Sequence, residues 1–251
     1  MHVGQYFDRI KYQGPSDSSM VVLRDLHRAH LLSIPFENLD IHRGVPIVLE
    51  QEALFNKIVE RKRGGFCYEL NGSFGWLLRQ LGFEVTMLSA AVATGEGGFG
   101  PEFDHMALLV QLDEPWLADV GFGDCFLEPV PVDRNEPWQD REGSYVVTRD
   151  GPYDLLLQAR NSEDWRPQYR FNRQPHDLSE FNAMSLYHQT SPESHFTKGR
   201  ICTRATENGR VTLSEMRLIT TRGATRSEQL LASESEHEAA LSQHFDITPY
   251  G

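Results

Sequence analysis

The sequence predicts an α+β protein that opens with helices, passes into a sheet or barrel and closes with a mixed segment. Three observations predict it. Apolar residues in the first third recur at three- and four-residue spacing, whereas from Phe83 onward they fall in short β-branched and aromatic runs. Beyond Asp177, helical and hairpin signals follow one another. With 251 residues, of which 39% are hydrophobic, the chain can bury a substantial core.

The elements follow in order. Val21, Val22, Leu23, Leu26, Ala29, Leu31 and Leu32 form an amphipathic pattern over 20–33, which Ile34-Pro35 should end. Leu54, Ile58 and Val59 repeat the pattern over 50–61. A third helix should begin near Cys67, because Phe66, Leu70, Phe74, Leu77, Leu78 and Leu81 make one stripe and Gly82 is a natural stop. Strands are expected over 84–92, 106–112, 116–120, 144–148, 153–159 and 168–171. Asp177 and Glu180 have capping-box spacing for a helix over 178–187. Glu207-Asn208-Gly209 marks a hairpin between 200–206 and 210–213, with a further strand over 216–220. The tail, 227–245, reads as one terminal helix or two short ones, and its acidic run from Glu234 to Glu238 as a solvated face.

Composition excludes several classes. A formal charge of -12 disfavours nucleic acid and anionic membrane as partners. There is no long apolar run or basic leader at Met1 to Tyr12, so a cytoplasmic protein is expected. The three cysteines, Cys67, Cys125 and Cys202, are widely spaced and lack CxxC pairing, which argues against a disulfide framework and against a bound metal. Nothing in the sequence fixes the oligomeric state.

A lone cysteine is ordinarily a small buried hydrophobe. Cys67 has a different setting. Gly64-Gly65 lets the backbone turn into a helix and places Cys67 near its N-terminus, where exposed amides and the dipole favour a thiolate. A thiolate nucleophile needs a proton carrier, and that histidine needs an orienting group. His105 opens one strand and Asp119 follows Trp116-Leu117-Ala118 on the next, so antiparallel pairing would bring the two together. A strand-end histidine and an aspartate before glycine are each common on their own. Their combination with Cys67 makes the candidate triad.

Arg63-Gly64-Gly65-Phe66-Cys67-Tyr68-Glu69-Leu70-Asn71, then His105-Met106, then Asp119-Val120-Gly121-Phe122-Gly123 resemble the arylamine N-acetyltransferases in composition and order. Tyr6 to Ile10, Pro35 to Leu39 and Tyr187 to Phe196 extend the resemblance over nearly the whole chain. It implies a helical bundle over 1–83 carrying the nucleophile, a central β-barrel over 84–190 carrying histidine and aspartate, and an α/β lid over 191–251 of bacterial type. In this papain-like triad Cys67 would be the acetylated nucleophile, His105 the base and acid, and Asp119 the orienting carboxylate. Phe36, Phe122 and Phe196 would line the acceptor pocket. Tyr68, Gly121 and Gly123 would lie near the oxyanion and coenzyme A. Glu37 and Arg63, in two of the matching motifs, are expected to form a partly buried structural ion pair.

The implied reaction is ping-pong acetyl transfer from acetyl-CoA, a substrate rather than a tightly bound cofactor, to an arylamine, hydrazine or N-hydroxyarylamine. Alternatives with similar machinery are an amide synthase that releases or cyclises polyketide acyl chains and a papain-like thiol hydrolase; a non-catalytic binding protein is a third. Three features depart from the resemblance: Ala91 where an arginine is usual, a glycine-rich loop over 94–102, and Asp124-Cys125 where coenzyme A phosphates would approach.

Overall fold

The computed structural model describes residues 1–95, 97–159 and 164–248. The chain opens with α1 (Val3–Ile10), capped by His2, whose Nδ1 accepts from the Gly4 amide at 3.1 Å. Sequence reasoning did not mark α1, although its buried Tyr6 and Ile10 share one face at helical spacing. The next helix, α2 (Met20–Ser33), starts behind a Ser19 cap and ends before Pro35, as the apolar spacing predicts. A two-residue strand, β1 (Phe36–Glu37), and α3 (Leu39–Arg43) follow. Residues expected to form one helix over 50–61 divide into α4 (Gln51–Phe55) and a π-helical turn (Asn56–Glu60) that buries Lys57. α5 (Cys67–Gln80) is buried on nearly all sides through its first two turns.

Eight antiparallel strands come next: β2 (Glu84–Val92), β3 (His105–Gln111), β4 (Pro115–Ala118), β5 (Val130–Pro131), β6 (Trp138–Asp140), β7 (Gly143–Asp150), β8 (Tyr153–Ala159) and β9 (Arg166–Phe171). Their spatial order is β5-β4-β3-β2-β9-β8-β7-β6, and β5 lies against β7, so the sheet curls into a nearly closed barrel. After a 3₁₀ turn (Leu178–Phe181) comes α6 (Asn182–Thr190). The Glu180 carboxylate accepts from the Asp177 amide at 2.6 Å, which supplies one arm of the expected capping box.

The closing segment builds a second antiparallel sheet from β10 (Ile201–Thr206), β11 (Gly209–Ser214), β12 (Arg217–Arg222) and β13 (Thr225–Leu230), and ends in α7 (Glu234–Phe245). β13 corrects the helical reading of the tail. All six of its residues are exposed, so no apolar alternation marks it as a strand; its pairing with β12 defines it. The fifth member of this sheet is β1, with Phe36 opposite Thr203 and Glu37 opposite Cys202. The boundary between 1–83 and 191–251 is therefore crossed by backbone hydrogen bonds. Three apolar clusters hold the layers: α5 against β3 through Phe74, Leu77 and Leu108; the barrel interior around Leu88, Phe126 and Leu156; and the second sheet against α7 through Cys202, Leu213 and Phe245.

Candidate active site

Cys67 is the first residue of α5, where helical amides have no intrahelical acceptor. The sequence suggests that Gly64-Gly65 serves a sharp turn, but neither glycine adopts a positive φ. Close packing is what demands them. A Cβ on Gly64 would overlap the Pro35 carbonyl, and one on Gly65 would lie 2.6 Å from Glu69 Oε2. That closeness lets the Gly65 carbonyl accept from Glu37 N at 2.9 Å and lets Glu69 Oε2 accept from Phe66 N at 3.1 Å. Both contacts fix the entry into α5.

The β3–β4 register sets Leu108 opposite Ala118, which delivers His105 and Asp119 to the same end of the barrel. His105 Nε2 lies 2.7 Å from Asp119 Oδ2, and all three candidate side chains are buried. Because a carboxylate only accepts, Nε2 carries a proton, which leaves Nδ1 as the ring nitrogen available to the neighbouring Cys67. Burial opposes charge on His105, but the Asp119 carboxylate and Cys67 outweigh it and push the imidazole up to about 10. Burial likewise opposes charge on Asp119. His105, Asn71 and the Gly121 amide overcome it and hold the carboxyl below its ordinary range.

Asp119 has no spare oxygen. Oδ2 also accepts from Tyr169 Oη at 3.0 Å, while Oδ1 accepts from Asn71 Nδ2 and Gly121 N, each at 2.9 Å. Asn71 Oδ1 accepts from Val120 N at 2.9 Å. Sequence reasoning missed the roles of Asn71 and Tyr169. Asn71 lies one helical turn after Cys67, a spacing that could have indicated a shared face; Tyr169 carries no such local signal.

Behind Cys67 lies a buried charge cluster larger than the expected pair. Arg63 Nη2 is 2.7 Å from Glu37 Oε1 and 2.9 Å from Asp40 Oδ1, while Lys57 Nζ is 2.8 Å from Asp40 Oδ2 and 2.7 Å from Glu69 Oε1. The pair is fully buried rather than partly so, with Glu37 0% and Arg63 2% exposed. Burial and the neighbouring Glu37 raise the Glu69 carboxyl despite its contact with Lys57. The carboxylates of Asp40 and Glu69 and the cation of Lys57 escaped the sequence reading; the π turn, which buries Lys57, accounts for the cation alone.

Cys67 and His105 open into a cleft of ≈ 410 Å³ whose walls include Phe36, Phe122 and Phe196. Phe122 packs edge-on against the His105 ring, with centroids 5.2 Å apart, and Phe36 lies 6.1 Å from Phe196. Asn38 Nδ2 donates to the carbonyls of Phe196 at 2.9 Å and Gly199 at 2.8 Å, which ties the closing segment to the β1 loop. Gly121 and Gly123 line the cleft, but the Gly121 amide is committed to Asp119 and is unavailable to an oxyanion. The Tyr68 side chain points away from the cleft and donates to the Phe103 carbonyl at 2.7 Å, so only its backbone amide remains a candidate. Asp124 is met by Arg210 of β11, with Nε 3.3 Å from Oδ1. Arg210 was not anticipated, and it offsets the acidic charge that set this loop apart. Ala91 stands opposite Arg170 in the β2–β9 register, so a guanidinium occurs on the neighbouring strand. In the 94–102 loop, Glu96 lies outside the described residues.

All three cysteines are free thiols, and among the described residues no cluster of metal-ligating side chains occurs. No described helix is long and apolar enough to cross a membrane.

Residues 19–249 match the protein family described as N-acetyltransferase. The chain is 38% identical to an arylamine N-acetyltransferase of Mycolicibacterium smegmatis, over 98% of this chain and 92% of that relative. It is 35% identical to an arylamine N-acetyltransferase / N-hydroxyarylamine O-acetyltransferase of Salmonella typhimurium, over 83% of this chain and 75% of the relative. Among solved structures, the Mycobacterium marinum arylamine N-acetyltransferase in complex with CoA superposes with a TM-score of 0.90 at 31% identity, covering 98% of this chain and 93% of that one.

Proposed function

Because the chain belongs to the arylamine N-acetyltransferase family, whose fold it shares throughout, we propose that Cys67, His105 and Asp119 carry its acetyl transfer from acetyl-CoA to arylamines. The observation that carries the assignment is the cysteine–imidazole–carboxylate chain at the floor of a phenylalanine-lined cleft. Hydrazines and N-hydroxyarylamines belong to the same acceptor class, and the enzyme acts in the cytoplasm.

His105 Nδ1 first takes the proton of the Cys67 thiol, and in the first half-reaction the resulting thiolate, facing the imidazolium, attacks the thioester carbonyl carbon. The carbonyl π electrons move onto oxygen, where the free amides of Cys67 and Tyr68 at the start of α5 stabilise the charge. Collapse breaks the bond to the coenzyme sulfur, and His105 gives that leaving thiolate its Nδ1 proton. Acetyl-Cys67 and neutral His105 remain. In the second half-reaction the amine nitrogen attacks the acetyl carbon while His105 Nδ1 takes the amine proton. The carbon–sulfur bond breaks, the acetylated amine leaves, and the thiolate faces imidazolium again. Asp119 fixes the tautomer at Nε2, so Nδ1 is the nitrogen that cycles. The aromatic walls favour a flat, neutral aniline over an alkylammonium, which would need a buried counter-charge.

Intact-mass spectrometry after rapid mixing with acetyl-CoA alone tests this reading. One acetyl group should appear on the peptide containing Cys67 and disappear on adding an aniline. No adduct in early-quenched samples, together with intersecting rather than parallel initial-rate lines, would remove the covalent mechanism.

A further inference from the structure

α2 carries two fully buried histidines, His27 and His30, on its inward face. Buried ring nitrogens usually find hydrogen-bond partners. His27 finds them at the two ends of one loop: Nδ1 lies 2.9 Å from the Leu127 carbonyl, and Nε2 lies 3.0 Å from the Asp119 amide. A carbonyl can only accept and an amide N–H can only donate. The ring is therefore neutral, protonated at Nδ1 and an acceptor at Nε2.

The segment it joins, Asp119 to Leu127, contains the carboxylate of the triad at its start and Gly121, Phe122, Gly123 and Asp124 of the cleft wall within it. Asn71 and Tyr169 fix the Asp119 carboxylate and Asn71 Oδ1 holds the following Val120 amide, while the Asp119 N–H itself is held by His27. The ring itself has little freedom. It stacks on Phe126 at 5.6 Å with 17° between planes and meets Phe74 edge-on at 5.9 Å.

We infer that His27 is a positioning residue for acetyl transfer, a two-ended clamp that sets the Asp119 peptide and the Phe122 wall from outside the cleft. The inference rests on the proposed role of Cys67, His105 and Asp119. Burial keeps the His27 imidazole down to about 4, so it stays an acceptor at neutral pH. The ionisable groups around it are Asp119 on the loop and His30 on its own helix, and Arg9 faces His30 in turn. His30 provides a natural control. It is equally buried one turn along, but its Nδ1 meets Tyr6 Oη at 3.1 Å, and its Nε2 has no partner among the described residues, so neither nitrogen holds the loop.

The test compares full-length His27→Phe, His27→Gln, His27→Asn and His30→Phe. Phenylalanine fills the site but leaves the Asp119 amide without its acceptor, so kcat with acetyl-CoA and an aniline should fall about ten- to a hundredfold while the donor KM changes little. Glutamine places an oxygen near the Nε2 position and should restore most of the rate; asparagine reaches only the Nδ1 position and should not. A second readout is independent of turnover: the pH profile of Cys67 alkylation by iodoacetamide should move in His27→Phe and stay in place in His30→Phe. Should His27→Phe fail to fold, the glutamine-to-asparagine contrast decides. The inference is overturned if glutamine and asparagine behave alike, or if His30→Phe moves the alkylation profile as far as His27→Phe. Failure of the underlying reading looks different, since wild-type protein would then show neither acetyl transfer nor selective alkylation at Cys67.

Discussion

Arg63→Ala isolates the buried charge cluster as a source of stability. The substitution removes the Nε and Nη2 contacts to Glu37 Oε1, at 3.1 and 2.7 Å, and the Nη2 contact to Asp40 Oδ1 at 2.9 Å. Asp40 retains Lys57 at 2.8 Å, but among the described residues Glu37 keeps only the Leu39 amide, at 2.7 Å on its other oxygen. Two cations facing three carboxylates become one. Breaking a buried pair by removing one partner costs about 3–5 kcal/mol, because a desolvated charge is left behind. For a chain of this size about 2–4 °C of melting midpoint accompanies each kcal/mol, so the midpoint should fall by about 6–20 °C. Calorimetry and circular dichroism at one fixed pH make the measurement, with Arg28→Ala as reference because its pair with Glu207 is exposed. The reference should move by no more than about 4 °C. If Arg63→Ala melts within that same margin, the cluster is not the anchor its burial implies.

Three further outcomes are expected. Cys67→Ala should abolish acetyl transfer, whereas Cys125→Ala and Cys202→Ala should retain it, since both thiols are buried in apolar clusters and pushed up by that burial; a free-CoA release assay distinguishes them. Asp119→Asn should fold by circular dichroism yet lose about 10⁴-fold in turnover, as triads do when the histidine tautomer is no longer fixed, and a folded, fully active variant would exclude Asp119 from the triad. His105 binds its proton at about 10 when folded against 6.5 as an unperturbed group, so the folded state holds the extra proton between those values. The stabilisation is complete below pH 6.5 and lost as pH rises toward about 10. Wild-type melting should accordingly decline more steeply across that window than that of His105→Gln.

What could be read from the sequence was what local pattern controls. The spacing of Leu70, Phe74 and Leu77 marks α5, and the alternation around His105 and Trp116 marks the two strands whose pairing joins histidine to aspartate. Adjacency beyond that strand pair and the Glu37–Arg63 pair was not legible. Tyr169 reaches Asp119 from 50 positions away and Arg210 reaches the Gly123 carbonyl from 87, with no local pattern to connect them. β13 was invisible for another reason. A strand exposed at all six positions carries no hydrophobic signature, and only the hydrogen bonds of β12 define it.

The pairing of Phe36 with Thr203 also sets a timetable for the growing chain. At ~5–20 residues per second, β1 leaves the ribosome roughly ten to thirty seconds before its partner strand exists. Throughout that interval the Pro35–Asn38 segment has neither the backbone ladder of β10 nor the carbonyls of Phe196 and Gly199 that Asn38 later engages. The helices around Cys67 can form from nearby residues, but one wall of the cleft cannot. The nascent enzyme thus carries an unfinished reaction chamber until translation is nearly complete, and its maturation depends on late synthesis rather than on early collapse.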